Sequence, residues 1–575
     1  MKPNKGRPLP PFNAFMQKRS VVAFLLLVIC LLGLPIRMQN FKLDGYISDD
    51  AWWHFRHVRE VVESGHRLNP DPYEFNTLSR PMTYPPLMHY ALAYLYKTAK
   101  VFSPQLSLVI FTNIFNGLEA ILYILLIFAF ANFFSRDKLF SLLASLAAAM
   151  SYGIIIRARA GELMPFVISD LASLMSILLI CRFLERPLVK EPNWRNFGAG
   201  ALMGLAMLSW SGTLYIYIPL ALFVYGVLFF VNPRERKTTI KYLLIYFAGF
   251  ILVSMPWYLP FTLRHGFNPH NPEMSWFMKG FTVWHQVKPL PFYIFTSGMA
   301  IFAMPFVFIN GFFRKEPRDY FLILWIVGAA IATWTGWRGY VAVVPIISAI
   351  TLGVFLSRAT KFYFSAHNRI LPVVFLLLAL IVGGLGHKIS NMRIAPLEPN
   401  NINEVRTNTR SIKMLKYLKE HFPKALTFDH ITWVSEDEAV GDLHMVGGQY
   451  LEFLPEGSSQ VLKDVSVAYL GTEEEAYKIF SKYNAELIIV RRQILQLPQL
   501  SLLFAPPELK VDEFVKIIKE DESSEQITMN FTPQGMQSIF FRMLNKQKLD
   551  KFDLVYSDSI PGEPLPFVTV YKLKK

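Results

Sequence analysis

Apolar runs that approach or reach the length needed to cross a lipid bilayer recur along the first two-thirds of this chain, and nothing else restricts its fold so severely. A membrane-spanning helix needs about 20 predominantly apolar residues, because each backbone polar group must be satisfied inside the segment. Eleven stretches qualify or come near: 21–36, 108–134, 139–156, 166–183, 197–210, 214–231, 242–257, 292–312, 320–335, 341–356 and 371–385. With 53% hydrophobic residues and 49 phenylalanines in 575, a soluble fold has no place to bury so much apolar surface. The expected fold is a polytopic α-helical membrane protein of about 11–13 transmembrane helices. It carries a C-terminal external mixed α/β domain.

The net charge of +15 is read against that topology. Basic segments at 2–19, 136–138, 186–195, 234–237, 314–318 and 358–369 fall on one side when the spans are counted alternately. By the positive-inside rule that side is the cytoplasm. The N-terminus is then cytoplasmic, and everything beyond the last span is extracytoplasmic, on a multi-pass protein of the cell (plasma) membrane. The first apolar run lacks a small-x-small cleavage site, so it is expected to remain as a span. No basic and aromatic module points to nucleic acid, and no Gly-x-x-x-x-Gly-Lys-[Ser/Thr] phosphate loop points to an ATPase. Cys30 and Cys181 both lie in apolar runs, so no disulfide framework is indicated.

Beyond residue 391 charged and turn residues rise and no spanning run recurs. Residues 1–391 therefore read as the membrane core, with external loops at about 39–100 and 258–290, and 392–575 as the separate domain. Ile412, Leu415, Leu418 and Phe422 keep helical spacing before a short strand at 425–428. Helix 473–483 leads into strand 485–490, a mixed α/β pattern.

On the external side, polar groups able to act together concentrate in a few places. Asp49 and Asp50 open a segment that continues Ala51-Trp52-Trp53-His54-Phe55-Arg56-His57. Carboxylates at a membrane–water boundary can hold a divalent metal, and a metal can neutralise a phosphate leaving group. The plain alternative is a solvated loop whose tryptophans sit at headgroup level. Glu162 lies in the short turn after Arg157 and Arg159, which could equally anchor to lipid headgroups. Glu119 and Asp170 lie inside apolar runs, where ionisable groups are costly and are either functional or paired.

These residues, in this order, resemble the catalytic-subunit family of oligosaccharyltransferases, membrane glycosyltransferases of GT-C type, above all the archaeal and bacterial single-subunit members. Asp50-Ala51-Trp52-Trp53-His54-Phe55-Arg56 is similar to the family's Asp-Ala-Tyr-Tyr-His-Leu-Arg. Tyr84-Pro85-Pro86-Leu87, the 204–212 stretch ending Trp-Ser-Gly, Arg338 before Pro345, the 472–490 helix and strand, and 531–556 also fit. The resemblance implies transfer of a glycan from a polyprenyl- or dolichyl-(pyro)phosphate donor to a protein or peptide acceptor, most naturally asparagine. It implies an Mn²⁺ or Mg²⁺ ion and contact with membrane lipid. Asp50 is then the catalytic carboxylate and a metal ligand with Glu162; His54, Arg56 and Arg338 meet the donor phosphate; Asp429, Trp433 and Arg338 meet the acceptor.

Three departures stand beside the match. Met164 and Phe166 occupy the usual second pair of ligand positions, leaving Glu162 as a displaced carboxylate. Thr282-Val283-Trp284-His285 puts His285 where the family has an amide-orienting glutamate. Thr427-Phe428-Asp429-His430-Ile431 keeps only the aspartate of the sequon-reading Trp-Trp-Asp-Tyr-Gly motif. Two alternatives therefore stay open. One is transfer to a hydroxyl acceptor on protein, lipid or polysaccharide, with Asp50 or His285 as general base. The other is an inactive relative that binds lipid-linked glycans or scaffolds their export.

Overall fold

The computed structural model describes residues 18–41, 45–78, 80–185, 192–265, 290–334, 343–362, 409–430, 433–448, 456–492, 513–519, 527–559 and 565–574. Helix α1 (Arg19–Arg37) is followed by α2 (Asp49–Ser64) and α3 (Leu87–Phe102). Next come α4 (Leu108–Ser135), α5 (Lys138–Met150), α6 (Pro165–Cys181), α7 (Asn193–Ser209) and α8 (Thr213–Val231). Helices α9 (Arg236–His265), α10 (Leu290–Ser297), α11 (Ala303–Arg314), α12 (Pro317–Trp334) and α13 (Val344–Phe362) complete the helical part. Among the described residues, Arg19–Arg37, Leu108–Ser135, Pro165–Leu184, Thr213–Val231 and Pro233–His265 are long and apolar enough to cross a membrane.

Ten of the eleven expected spans coincide with helices, and 371–385 lies outside the described residues. Two are interrupted. The 139–156 run breaks after Met150, and 292–312 divides at a 3₁₀ turn over Gly298–Phe302. The first loop, expected at 39–100, contains two helices of its own. Met88, Leu92, Ala93 and Tyr96 line one buried stripe of α3 while Leu95, Val101 and Phe102 face outward. That helix has one buried face and 16 residues, too few to read as a span.

Helices α7 and α9 pack almost backbone to backbone. A Cβ on Gly200 or Gly249 would run into the facing main chain, and one on Gly204 would meet Phe250 O at 2.9 Å. Small residues give helices in lipid the close approach that hydrophobic driving force cannot, since lipid is as apolar as they are. The main core gathers Phe130, Phe134, Tyr217, Tyr246, Phe321 and Trp325 from α4, α8, α9 and α12.

The C-terminal region contains α14 (Thr409–His421), β1 (Leu426–Phe428), α15 (Val434–Gly441), β2 (His444–Met445), α16 (Ser458–Leu470), α17 (Glu473–Lys482) and β3 (Leu487–Arg491). Strands β4 (Val515–Lys519) and β5 (Ile527–Phe531) precede α18 (Ile539–Leu544), β6 (Phe552–Ser557) and β7 (Val568–Leu573). A mixed sheet runs β2-β1-β3-β7-β6, parallel from β2 to β3 and antiparallel beyond, and β4-β5 form a separate pair. The fully buried β3 reads Leu-Ile-Ile-Val-Arg, an apolar run suited to a strand covered on both faces. Thr472 and Glu475 close a capping box at the start of α17.

Candidate active site

The site is assembled around the start of α2. Ser48 is its N-cap and accepts a hydrogen bond from Ala51 N at 3.3 Å. The same hydroxyl donates to Glu162 Oε2 at 2.6 Å. Asp50 lies two residues on, half-buried in the first turn, where the positive end of the helix favours negative charge. One serine thus ties the helix that begins at Asp49-Asp50 to the turn that carries Glu162.

That turn is held from several sides. Gly161 has φ +85°, and a Cβ there would press Ile47 at 2.9 Å. Its N–H donates to Asn113 Oδ1 at 2.8 Å, and its carbonyl accepts from Ile47 N at 2.7 Å. Asn116 donates to Arg159 O at 2.9 Å and also to Glu162 O. Ala160 N donates to Arg37 O at 2.8 Å, joining the turn to the end of α1. Arg159 Nη2 contacts Glu162 Oε1 at 2.9 Å, so a guanidinium balances the carboxylate. Arg157 instead pairs with buried Asp170, which also accepts from Tyr123 and, at 2.6 Å, from Tyr217. The intramembrane aspartate is therefore one half of a built polar pair.

Below the first turn of α2 the placement departs from the sequence reading. Trp52 and Trp53 are buried, not set at a headgroup surface. Arg56 was expected at the donor phosphate. Its guanidinium is fully buried and meets Asp71 at 2.7 Å, Glu60 at 2.5 Å and Glu438 at 3.1 Å. Burial opposes its charge, but these three carboxylates push its pKa above the ordinary arginine value. His54, expected beside it, is buried with Nδ1 2.9 Å from His89 Nε2. Burial, with the nearby His57 and Arg67, holds the His54 imidazole well below its usual range and so neutral. A buried neutral imidazole and an arginine enclosed by three carboxylates do not match a phosphate clamp.

The expected acceptor residues form a second cluster. Asp429 Oδ2 accepts from Arg491 Nε at 2.6 Å, and the Arg491 guanidinium lies 5.2 Å over the Trp433 ring. Arg491 also reaches Asp437 and Ser411. Burial, with Arg491 adding to it, pushes His430 down to about 3. His285 and Arg338 lie outside the described residues.

The structure therefore ties the helix start that carries Asp50 to the Glu162 turn through Ser48, and brings Asp429 and Trp433 together on Arg491. Ser48, Asn113, Asn116 and Arg491 were missed by sequence reasoning. Two signals were present. Asn113 and Asn116 sit three apart in an apolar run, hence on one helix face, and Ser before Asp-Asp is an N-cap pattern. No group of three or more His, Cys, Asp or Glu that could hold a metal occurs among the described residues. Asp50 and Glu162 still offer hard carboxylate oxygens of the kind that, with waters and a substrate phosphate, hold Mg²⁺. Each Glu162 oxygen keeps spare acceptor capacity beside its one hydrogen bond.

No family model and no curated protein matches the chain. Solved structures do. Archaeal oligosaccharyltransferase AglB from Archaeoglobus fulgidus, in complex with an inhibitory peptide and a dolichol-phosphate, superposes with a TM-score of 0.72. The identity is 13%, over 94% of this chain and 80% of that one. The Archaeoglobus fulgidus oligosaccharyltransferase in complex with Zn and sulfate gives 0.71, at 13% identity over 93% and 79%. ArnT from Cupriavidus metallidurans, bound to undecaprenyl phosphate, gives 0.50, at 13% identity over 90% and 98%. The chain has the fold of an archaeal oligosaccharyltransferase along nearly its whole length.

Proposed function

We propose that this integral membrane protein is a glycosyltransferase of the oligosaccharyltransferase type. It takes a glycan from a polyprenyl- or dolichyl-(pyro)phosphate carrier and delivers it to a protein acceptor, with asparagine as the leading choice. The observation that carries the reading is the Ser48–Glu162 hydrogen bond, which unites the Asp50 helix start with the Glu162 turn. The shared fold supports the same donor class, because the similar structures hold dolichol-phosphate or undecaprenyl phosphate.

In this reading Asp50 and Glu162 would hold a Mn²⁺ or Mg²⁺ ion, which supplies neutralisation of phosphate charge on the departing carrier. Asp50 orients the acceptor nitrogen, a very weak nucleophile, toward the sugar carbon. Ser48 keeps the helix start and the turn in register, and Arg159 restrains Glu162. His285 and Arg338 enter as proposals for the acceptor and the donor phosphate. The N-terminus is cytoplasmic and the C-terminal region extracytoplasmic, as the basic segments predict.

One observation favours a second reading, a hydroxyl acceptor. The Asp429 carboxylate is held by Arg491 and is 5% exposed, which leaves it poorly placed to read a serine or threonine hydroxyl. Purified protein in nanodiscs, a polyprenyl-pyrophosphate-linked glycan and Mn²⁺ separate the two. Product on an Asn-x-Thr peptide supports the first, and metal-dependent turnover indifferent to the sequon supports the second. Asp50→Ala should abolish either; full activity in that variant ends the assignment.

A further inference from the structure

Helix α2 has two jobs within one length of chain. Its first turn carries Asp50, while its next turns dock on the C-terminal region. Arg56 Nε lies 3.1 Å from Glu438 Oε2, with both side chains fully buried. One turn on, Arg59 Nη1 donates to Ala439 O at 2.5 Å, near the C-terminal end of α15. The loop after α2 adds a third tie. Tyr73 OH donates to Asp442 Oδ1 at 2.8 Å, and Tyr73 O accepts from Met445 N at 2.6 Å. Ala439 also joins the apolar cluster of Tyr46, Trp52 and Phe55.

The docked helix is the one that matters for the acceptor. Helix α15 begins at Val434 with Trp433 as its N-cap, three residues after His430, whose carbonyl accepts from Trp433 N at 3.0 Å. Its Asp437 reaches Arg491, which holds Asp429. Glu438 faces one way, to α2, and Asp437 the other, to the acceptor cluster. Burial raises the Glu438 carboxyl while Arg56 opposes it, and Arg56 itself stays charged between Asp71, Glu438 and Glu60. Arg56 Nε and Glu438 Oε2 do not meet hydrogen-bond geometry among the described residues, so their 3.1 Å contact holds the two helices by charge and close packing.

We propose that the Arg56–Glu438 contact is a positioning device: it makes α2 and α15 one body, so that Asp50 and the Asp429–Trp433 cluster keep a set separation. Arg56 and Glu438 touch no reacting atom in this scheme and act through the two helices. The inference rests on the proposed asparagine reading, with Asp50 at the reacting centre and the Asp429–Trp433 cluster taken as part of the acceptor side.

The test uses the full chain in lipid nanodiscs with three variants: Glu438→Ala, Glu438→Gln, and Tyr73→Phe as the milder probe of the same junction. Amide exchange is followed across residues 434–441. KM and kcat are measured for an Asn-x-Thr peptide with a polyprenyl-pyrophosphate-linked donor, and hydrolysis of that donor by water is followed alongside. Glu438→Ala should speed exchange about tenfold and raise the peptide KM about tenfold, with kcat and donor hydrolysis within about twofold. Glu438→Gln keeps the buried volume but not the charge, so both effects should fall between those of the wild type and Glu438→Ala. Tyr73→Phe should shift both the same way by less. Unchanged exchange and KM in Glu438→Ala and Tyr73→Phe overturn the proposal, as does a loss confined to kcat. If the wild type fails to glycosylate the peptide, the asparagine reading fails and the exchange data decide this inference. Faster exchange in Glu438→Ala then supports it, and none overturns it.

Discussion

Asp50 and Glu162 differ in how firmly they are held. Glu162 is bonded by Ser48 and Arg159, whereas Asp50 is half-buried at a helix start. Glu162→Ala should raise the Mn²⁺ concentration for half-maximal turnover about tenfold, read by metal titration of glycan transfer. Asp170 is a contrasting case, a carboxylate whose partners are Arg157, Tyr123 and Tyr217. Asp170→Ala strands a buried guanidinium and should cost about 3–5 kcal/mol, read by thermal melting in detergent. The three histidines near Trp53 give a pH test. His54, His57 and His89 are held well below 6.5, each by burial first and then by neighbouring positive charge. Above 6.5 their contribution to stability is fully present. As pH falls below it, the unfolded chain takes up protons that the folded one refuses, and stability drops. Glu438 and Asp437, raised mainly by burial, work in the opposite direction, so the comparison must be between variants. His89→Asn should flatten the fall by about 1.4 kcal/mol per pH unit, read from melts between about pH 5 and 8. None of these shifts is visible in the order of residues, because burial by distant segments causes them.

At the scale of elements, periodicity was legible and interruption was not. Apolar runs predicted ten of the helices, yet the break after Met150 and the 3₁₀ turn at Gly298–Phe302 lie inside runs that read as continuous. The first loop hid α2 and α3, because neither of these 16-residue helices carries a membrane-length apolar run. The N-cap of α2 was readable, but its second bond, to Glu162, was not. Ser48→Ala removes both and should lower stability by about 1–2 kcal/mol while weakening metal affinity; melting and metal titration on one preparation check it. The α7–α9 contact is less forgiving. Gly249→Leu must push a side chain into the backbone of α7, and folded yield on size-exclusion should collapse.

For the whole molecule, the two clusters of site residues belong to segments almost four hundred positions apart and meet through one helix pair. Orientation is open to direct measurement. With Cys30 and Cys181 replaced, a cysteine at exposed Lys478 should react with an impermeant maleimide on intact cells, and one at exposed Arg136 only after permeabilisation. The reverse pattern would invert the topology and put the C-terminal sheet on the cytoplasmic side.

Read alone, the residues place the chain in a bilayer, locate its long apolar spans, put a mixed α/β region after them, and give Asp50 a segment that resembles a motif of glycan-transferring enzymes. Those are local properties: hydropathy over about 20 residues, alternation over a strand, and the order of side chains in a short motif. Tertiary packing alone turns Arg56 and His54 inward, binds Ser48 at the start of α2 to Glu162, and sets α2 against α15. A guanidinium looks the same in a sequence whether it awaits a phosphate or is enclosed by Glu60, Asp71 and Glu438. Which of the two occurs depends on carboxylates that folding brings from 4, 15 and 382 residues away.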